Sequence, residues 1–420
     1  MTQAVAGPML AADGTPLKAS LRRALRAQKM RALMLVGPLL VFVLVSFLFP
    51  IGDMLFRSVE NQIVPETLPR TVVALADWDP SSGVLPGEPV FAALHDDLRE
   101  AVAAKTQTRL GQRLNYEYSG MSSLLRSAGR DLQAMDPTQP FANQFIKADK
   151  KWGDPGVWQT IKLFSGSLTS GYLLNAVDLE LTPTGIQTKP PADRIYVKLF
   201  LRTVIMSLAI TFACFLLGYP IAFLLASLPL RRANLLMILV LLPFWTSLLV
   251  RTASWKVLLQ QQGVINDVLV WSGLIDDGGR LVMINNAAGT LITMTHILLP
   301  FMILPLYSVM KGIPPTYVRA AKSLGASDWT AFWRVYFPQS VPGVGAGAIL
   351  VFILAIGYYI TPELVGGTSG VFISNRIAFH ISSSLNWGLA AALATLLLIV
   401  VLTLYYAYDR IVGIDNVKLG

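Results

Sequence analysis

Charged residues are scarce in this sequence, and their scarcity excludes an ordinary soluble protein. Only 14% of the 420 residues are Asp, Glu, Lys or Arg, whereas 54% are hydrophobic. A soluble domain typically carries about 25% charged residues. The composition therefore predicts an all-α protein that crosses a membrane several times.

Cysteine and histidine are nearly absent as well. Cys214 is the single cysteine, so the chain cannot form an internal disulfide or a thiol cluster. The three histidines, His95, His296 and His380, are far apart in the sequence. We therefore expect no metal site and no cofactor in this chain.

Several catalytic motifs are also missing from the sequence. It contains no Gly-x-x-x-x-Gly-Lys-Ser/Thr loop, so the chain cannot itself be an ATPase of that type. It contains no His-Glu-x-x-His or Gly-x-Ser-x-Gly motif and almost no carboxylates within its apolar runs, which argues against a membrane hydrolase and a proton-coupled carrier. We expect a protein that is not an enzyme and that takes its energy from a partner.

Apolar runs of about 20 residues predict membrane-spanning helices. The six predicted spans are residues 32–50, 196–228, 233–249, 287–310, 341–360 and 387–408. Because Lys and Arg favour the cytoplasmic loops, their placement predicts that both termini, including the basic residues 1–31, are cytoplasmic. The net charge of +9 then reflects topology rather than nucleic-acid binding. The first run is too long for a cleaved signal peptide and predicts a retained anchor.

A polar region at residues 57–194 separates the first two spans. It contains charges of both signs, prolines and glycines, and no run long enough to cross a bilayer. One crossing before it predicts an extracytoplasmic domain, of α or α+β structure, with helices at residues 95–113 and 121–135. It is either a docking surface for a soluble partner or a support for the spans, and the sequence does not choose between them.

A second polar stretch, residues 312–340, lies between two apolar runs. Proline suits the first turn of a helix, and Pro315 to Leu324 predict a short helix. Gly325 can adopt the left-handed conformation that ends it, and Ser327 can cap a second helix that runs to Pro338. The pattern predicts a helix, a glycine turn and a second helix on the cytoplasmic side.

The segment RAAKSLGASDWTAFWRVYFPQSVPG within this stretch resembles the coupling loop of permease subunits of ABC importers. The residues that match the family pattern are Ala320, Ala321, Gly325, Val335 and Pro338. Arg319 stands where the family usually has glutamate, and Phe337 where it has leucine. The residues that the resemblance assigns to contact with an ATPase are Tyr317, Arg319, Ala320, Ala321, Leu324, Gly325 and Ala326.

Three further segments, LLPFWTSLLVRTASWKVLLQQQGVINDVL, LLPFMILPLYSVMKGIP and VFILAIGYYITPELVGG, resemble spans of permeases of the spermidine/putrescine type. The resemblance covers residues 196–409 and implies a type I ABC importer (MetI-like) permease fold in the bacterial inner membrane. It also implies a second permease, two ATPase subunits that bind ATP and magnesium, and a periplasmic substrate-binding protein.

The transported solute is less well defined by the sequence. Aromatic faces bind cations, and the candidate pathway residues are Trp245, Thr246, Arg251, Trp255, Tyr358, Tyr359 and Glu363. Aromatic residues near span ends also occur as interfacial residues. We predict a polyamine such as spermidine or putrescine, with an opine or an amino-acid-like amine as the alternative. A membrane-anchored sensor or assembly protein, whose working part would be residues 57–194, is a second class of function.

Overall fold

The computed structural model describes residues 17–412, and most of these residues are helical. Part of the predicted basic N-terminus, residues 1–16, lies outside the described residues. Contacts divide the chain into two units, residues 1–57 and residues 58–420, which we describe separately.

The first unit is one apolar helical stretch. It comprises α1 (Leu17–Val43), a π-helical turn (Leu44–Leu48) and α2 (Phe49–Arg57). Residues Gln28–Arg57 are apolar and long enough to span a membrane. The span predicted at residues 32–50 lies within this helix.

The second unit begins with residues 58–195, here called the inserted segment. Its helices are α3 (Ile63–Thr67), α4 (Pro69–Ala74), α5 (Glu88–Ala103), α6 (Gln107–Asn115), α7 (Met121–Asp131), α8 (Phe141–Ala148), α9 (Pro155–Leu163) and α10 (Gly171–Asn175). Short 3-10 turns lie at Leu132–Ala134, Lys150–Gly153 and Pro191–Asp193. Strands β1 (Leu179–Thr182) and β2 (Gly185–Thr188) form an antiparallel hairpin in which Leu179 pairs with Thr188.

The inserted segment has a hydrophobic core of its own. Trp152, Trp158, Phe91 and Phe145 are fully buried at its centre, and the rings of Phe91 and Trp158 meet edge to face at 4.5 Å. The buried members of this cluster all come from residues 64–164. Aromatic side chains bury large areas, so this core is sufficient to give the segment a defined structure.

One predicted helix of the inserted segment is wrong and the other is nearly correct. The predicted helix at residues 95–113 is two helices, α5 and α6, because Lys105 adopts a left-handed φ of 59° and turns the chain between them. The helix predicted at residues 121–135 is confirmed as α7 followed by a 3-10 turn.

Residues 196–412, here called the membrane segment, contain the remaining helices. They are α11 (Tyr196–Ser227), α12 (Leu230–Leu241), α13 (Leu248–Leu258), α14 (Val264–Trp271), α15 (Ala287–Gly312), α16 (Pro315–Ser323), α17 (Asp328–Ala331), α18 (Phe337–Gly357), α19 (Ile360–Val365), α20 (Gly367–Gly370), α21 (Ile373–Ser382) and α22 (Trp387–Val412). Two 3-10 turns, Leu242–Trp245 and Asp277–Gly279, and a π-helical turn, Phe332–Tyr336, complete it.

Helices α11, α15 and α18 pack together at the centre of the membrane segment. Their shared core includes Cys214, Met302 and Val351, all fully buried. A Cβ atom at Gly347 would lie 2.7 Å from the Met302 sulfur, and one at Gly343 would lie 3.0 Å from the Val309 Cβ. The glycines therefore allow α18 to approach α15 more closely than any other residue would.

The third predicted span, residues 233–249, is not a straight helix. The chain bends by 96° between Leu230–Trp245 and Leu248–Leu258. Pro243 lies in the 3-10 turn before the bend, Thr246 is extended, and the Ser247 hydroxyl accepts a hydrogen bond from the Val250 amide at the start of α13. In the described part of the chain, five helices are long and apolar enough to span a membrane, and a sixth span results if the bent pair is counted as one.

The inserted segment joins the membrane segment through a small core of its own. Tyr172 of α10 packs with Leu389 and Leu393 of α22. A Cβ atom at Gly388 would lie 2.3 Å from the Tyr172 ring, so the backbone of α22 approaches that ring directly. The two segments are thus in tight contact rather than tethered by a flexible linker.

Candidate functional site

The first candidate site is the polar bend, residues 312–340. Its first helix, α16, begins with Pro315 and ends in two hydrogen bonds that close its last turn. The Ala326 amide donates to the Ala321 carbonyl at 3.1 Å, and the Gly325 amide donates to the Lys322 carbonyl at 3.0 Å. Gly325 has a φ of 89°, the left-handed conformation that this ending requires. The predicted helix and glycine turn are confirmed.

The start of the second helix also follows the sequence pattern. The Ser327 hydroxyl accepts a hydrogen bond from the Thr330 amide at 3.3 Å, as the predicted cap requires. Lys322 at the end of α16 forms an ion pair with Asp328 at the start of α17. This pair links the two helices across the turn.

The sequence predicted that the second helix of the polar bend ends at Pro338, and this prediction is wrong. Residues Asp328–Gly357 form one continuous helical stretch that includes the fifth span. Pro338 lacks the amide hydrogen that would bond to the preceding turn of the helix. The π-helical turn Phe332–Tyr336 ends two residues before Pro338, and the helix continues through both. A movement of the bend can therefore be passed directly to α18.

Aromatic contacts fix the polar bend to the membrane segment. The ring of Phe332 meets Tyr219 and Phe223 of α11 edge to face at 6.1 and 6.0 Å, and the Tyr336 ring meets Phe223 at 5.1 Å. A cleft of about 710 Å³ lies between α16 and the ends of α11 and α15. The second helix of the polar bend thus holds α16 at a distance from the spans.

The outer surface of the polar bend is apolar and exposed. Its large exposed side chains are Tyr317 (52%), Leu324 (90%), Trp329 (72%) and Trp333 (44%). Ala320 is exposed, Ala321 is half-buried, and Ala326 is half-buried beside the turn. Arg319 is exposed, and its guanidinium has no hydrogen bond or ion pair within residues 17–412. Contiguous apolar surface of this kind typically binds another protein.

The second candidate site is the set of predicted pathway residues. Trp245 and Thr246 lie at the bend of the third span, and both are exposed, Trp245 by 76%. The Thr246 hydroxyl donates to the Pro243 carbonyl at 2.9 Å. Among the described residues, no hydrogen bond, ion pair or ring contact joins either of them to the other predicted pathway residues.

Arg251, Trp255 and Tyr358 do come together, around a histidine. The Trp255 indole donates a hydrogen bond to His296 Nδ1 at 3.0 Å. Arg251 lies close enough for its charge to act on both His296 and Tyr358. The Arg251 Nε and Nη1 atoms are buried and have no hydrogen-bond partner within the described chain. Burying these two donors without an acceptor is unfavourable, which distinguishes Arg251 from the other predicted pathway residues.

Tyr359 and Glu363 are held by one asparagine. The Asn375 amide group donates to the Tyr359 carbonyl at 2.9 Å and to Glu363 Oε2 at 2.6 Å. The Ser374 hydroxyl donates to the Tyr358 carbonyl at 2.5 Å. Helix α21 therefore fixes the loop that follows α18.

Sequence reasoning missed several residues of these sites. His296 and Asn375 connect the pathway candidates, but neither belongs to a recognisable motif. Trp329 and Trp333 extend the exposed surface of the polar bend, and neither was among the residues predicted to contact an ATPase. Within residues 17–412, no group of three His, Cys, Asp or Glu residues could hold a metal ion.

Comparison with curated proteins identifies similar membrane proteins. The chain is 36% identical over 227 residues to the spermidine/putrescine transport system permease protein PotB of Escherichia coli K12, covering 54% of this chain and 82% of that protein. It is 32% identical over 262 residues to the inner membrane ABC transporter permease protein YdcU of the same organism, covering 60% and 82%.

A solved structure and a protein family also match part of this chain. The crystal structure of a bacterial alginate ABC transporter in complex with an alginate pentasaccharide-bound periplasmic protein matches 52% of this chain and 80% of that chain, with a TM-score of 0.41 and 18% identity. The family described as binding-protein-dependent transport system inner membrane component matches residues 196–412. The chain belongs to this family, and it is a permease of the type I ABC importer fold.

Proposed function

We propose that this permease takes up polyamines such as spermidine and putrescine across the bacterial inner membrane, driven by ATP. The observation that carries the proposal is the 36% identity to PotB over 82% of that protein's length. The pathway candidates support it, because the aromatic faces of Trp245 and Tyr359 are exposed and can contact an amine.

In this proposal the energy comes from partner subunits. Two ATPases bind ATP and magnesium, a second permease completes the pathway, and a periplasmic protein delivers the solute. The exposed apolar surface around Leu324 and Tyr317 fits a docking groove on an ATPase. ATP-bound and nucleotide-free ATPases would favour different states of the spans, and the continuous helix from Asp328 to Gly357 would transmit the change.

The proposed topology has both termini in the cytoplasm. Residues 57–194 then lie outside, where they either receive the periplasmic protein or support the spans. The polar bend lies inside, next to the ATPases.

A second candidate solute is an amine that also carries a carboxylate, such as an opine or an amino-acid-like amine. Arg251 favours it, because its buried Nε and Nη1 atoms lack an acceptor within the described chain. A carboxylate is the partner that a guanidinium binds best. The acid Glu363 does not supply it, since Glu363 is bonded to Asn375 instead.

An uptake assay separates the two solutes. Cells that express the complete transporter are given labelled spermidine, with an excess of unlabelled putrescine, octopine or lysine as competitor, and a variant inactive in ATP hydrolysis is the control. We expect ATP-dependent uptake that putrescine suppresses and the carboxylated amines do not. Labelled octopine is given in parallel: its uptake without uptake of spermidine would favour the second candidate, and no uptake of either compound would refute both.

Cysteine labelling tests the topology. Cys214 is buried, so Leu324→Cys adds a reactive thiol to a chain that otherwise presents none among residues 17–412. We expect a membrane-impermeant maleimide to label Leu324→Cys only in permeabilised cells. The matched variant Arg130→Cys, on the exposed surface of α7, should be labelled in cells whose inner membrane is intact. The reverse pattern would refute the proposed orientation.

A further inference from the structure

A cleft of about 410 Å³ lies between the first turns of α11 and the helices α19 to α21. Four cations line it: Arg194, Lys198, Arg202 and Arg376. We infer that this cleft binds the phosphate of an anionic phospholipid, at the membrane face where α11 begins. The inference depends on the chain being a membrane permease and not on which solute it transports.

The four cations have no carboxylate partner among the residues that the structure describes. Arg202 Nη1 donates to the Thr368 carbonyl at 2.8 Å, and Arg194 Nε donates to the Lys189 carbonyl at 2.5 Å. These bonds orient the guanidinium groups without neutralising them. The one carboxylate that lines the cleft, Glu363, accepts a hydrogen bond from Asn375 and forms no ion pair there.

Two of the cations lie on one side of α11. Lys198 and Arg202 are four residues apart in this helix, which puts their side chains on one face, and Arg194 lines the same cleft from the extended backbone just before the helix. Arg376 on α21 lines the same cleft from the opposite wall, with its guanidinium 5.7 Å from the centre of the Phe379 ring. Charges of one sign so close together repel unless an anion lies between them.

The position of the cleft along α11 corresponds to the lipid headgroups. The helix has 32 residues and is therefore about 48 Å long, whereas the hydrocarbon core is about 30 Å thick. No charged residue occurs between Arg202 and Arg231. The hydrocarbon region thus begins just after Arg202, and the cations lie at its boundary.

The surroundings of the cleft favour a lipid over a soluble anion. Val197, Leu201 and Ile205 are exposed on α11 next to the cations, where the acyl chains of a lipid can cover them. The cleft itself is lined partly by apolar side chains, Val371 and Phe379 among them. A phospholipid combines a phosphate, which guanidinium groups bind through paired hydrogen bonds, with an apolar tail.

Topology alone does not explain these charges. They lie at the start of α11, whereas Arg231 and Arg232 follow its other end. Because the two ends of a membrane span lie on opposite sides of the membrane, the preference of Lys and Arg for the cytoplasm can explain the charges at only one of them. The helix end does not account for an anion either, because the buried carboxylate of Asp178 already binds the first amides of α11. An anion bound between the cations offsets their mutual repulsion.

A lipid-binding titration of the full-length chain in detergent tests the inference. Native mass spectrometry measures the binding of phosphatidylglycerol, phosphatidylcholine and inorganic phosphate to the wild type and to the double variant Lys198→Gln/Arg376→Gln. Neither side chain donates a hydrogen bond within the described chain, so the variant should fold. We expect its affinity for phosphatidylglycerol to fall about twenty-five-fold, because each of the two cations near a membrane surface contributes about fivefold.

The control is Arg99→Gln/Arg126→Gln, which removes two exposed charges from the inserted segment. We expect it to bind phosphatidylglycerol as the wild type does. Equal loss in both double variants would overturn the inference, since net charge would then explain the binding. Equal affinities for phosphatidylglycerol and phosphatidylcholine would overturn it too, as would tight inorganic phosphate binding without lipid binding. Unchanged phosphatidylglycerol binding by Lys198→Gln/Arg376→Gln would overturn it as well.

Discussion

Gly325 decides the direction in which the chain leaves α16. Its φ of 89° lies in the left-handed region, where a side chain is disfavoured, and no atom lies within 4 Å of the position that a Cβ would occupy. A substitution there is therefore opposed by backbone strain and not by crowding. The same residue could be identified from the sequence, because a glycine after a helical pattern is a strong signal for such an ending.

Replacing Gly325 with valine should separate ATP hydrolysis from uptake. The strain of a β-branched residue in the left-handed region costs about 1–2 kcal/mol and would move Leu324 and the rest of the turn out of position. We expect the assembled Gly325→Val transporter to hydrolyse ATP at a rate that no longer rises with solute, and uptake to fall at least tenfold. Both rates are measured in proteoliposomes.

Gly278→Val is the matched control for this substitution. Gly278 has equally open surroundings and lacks the left-handed φ, so the same side chain meets no strain there. Normal coupled uptake by Gly325→Val would contradict the role of the turn.

Helix α11 begins on a carboxylate that belongs to the inserted segment. Buried Asp178 accepts hydrogen bonds from the backbone amides of Ile195, Tyr196 and Val197 at 3.1, 3.0 and 2.9 Å. Backbone amides at a helix start have no partner within the helix, and a negative charge there also interacts favourably with the helix dipole. The inserted segment thus stabilises the first turn of a membrane span.

The variant Asp178→Asn should weaken that first turn. Asparagine tolerates the left-handed φ of 60° at this position but loses the charge and at least one acceptor, at a cost of about 1 kcal/mol. We expect amide hydrogen exchange at residues 195–197 to become about fivefold faster. Asp193→Asn, at an exposed position in the same loop, is the control, and equal exchange rates in the two variants would show that the cap has no effect.

Helix ends and turns could be predicted from the sequence where neighbouring residue types indicate them. They could not be predicted where contacts between distant parts of the chain determine the backbone conformation. The turn at Gly325 and the cap at Ser327 follow from the residue types themselves. Lys105 takes a left-handed conformation that no residue pattern indicates, so α5 and α6 look like one helix. The bend at Thr246 was missed because the apolar run continues through it, and hydropathy does not distinguish a straight span from a broken one.

The sequence was also insufficient to predict how the candidate pathway residues are arranged in space. Aromatic and charged residues near span ends could be found, but their grouping around His296 depends on the packing of α13 against α15. The exposed surface of the polar bend was predicted because the resemblance covers it. The joint between the two segments was not, since it brings together residues far apart in the sequence.

For the whole molecule, the joint between the inserted segment and the membrane segment is held by a chain of hydrogen bonds. Gln112 of α6 and Tyr116, the residue after this helix, both donate to the Ser384 carbonyl, Gln112 at 3.0 Å. The Ser384 hydroxyl is hydrogen-bonded to His380 Nδ1 at 2.8 Å, and His380 Nε2 to the Tyr196 hydroxyl at 3.0 Å. His380 therefore uses both ring nitrogens to connect α21 with the start of α11.

Burial, together with the nearby positive charge of Arg376, lowers the pKa of His380 from its ordinary value of 6.5 to about 4. Between these values the unfolded chain binds a proton that the folded chain does not, so stability falls as the pH decreases from about 6.5 to 4 and is unaffected above that window. The slope should approach about 1 kcal/mol per pH unit, below the limit of about 1.4 that a difference of one whole bound proton would give. Thermal unfolding of wild type and His380→Gln at pH 7, 6 and 5 measures it. Because all other titrating groups are common to both proteins, the wild type should lose more stability than the variant over this range, and parallel decreases would show that His380 does not control the joint.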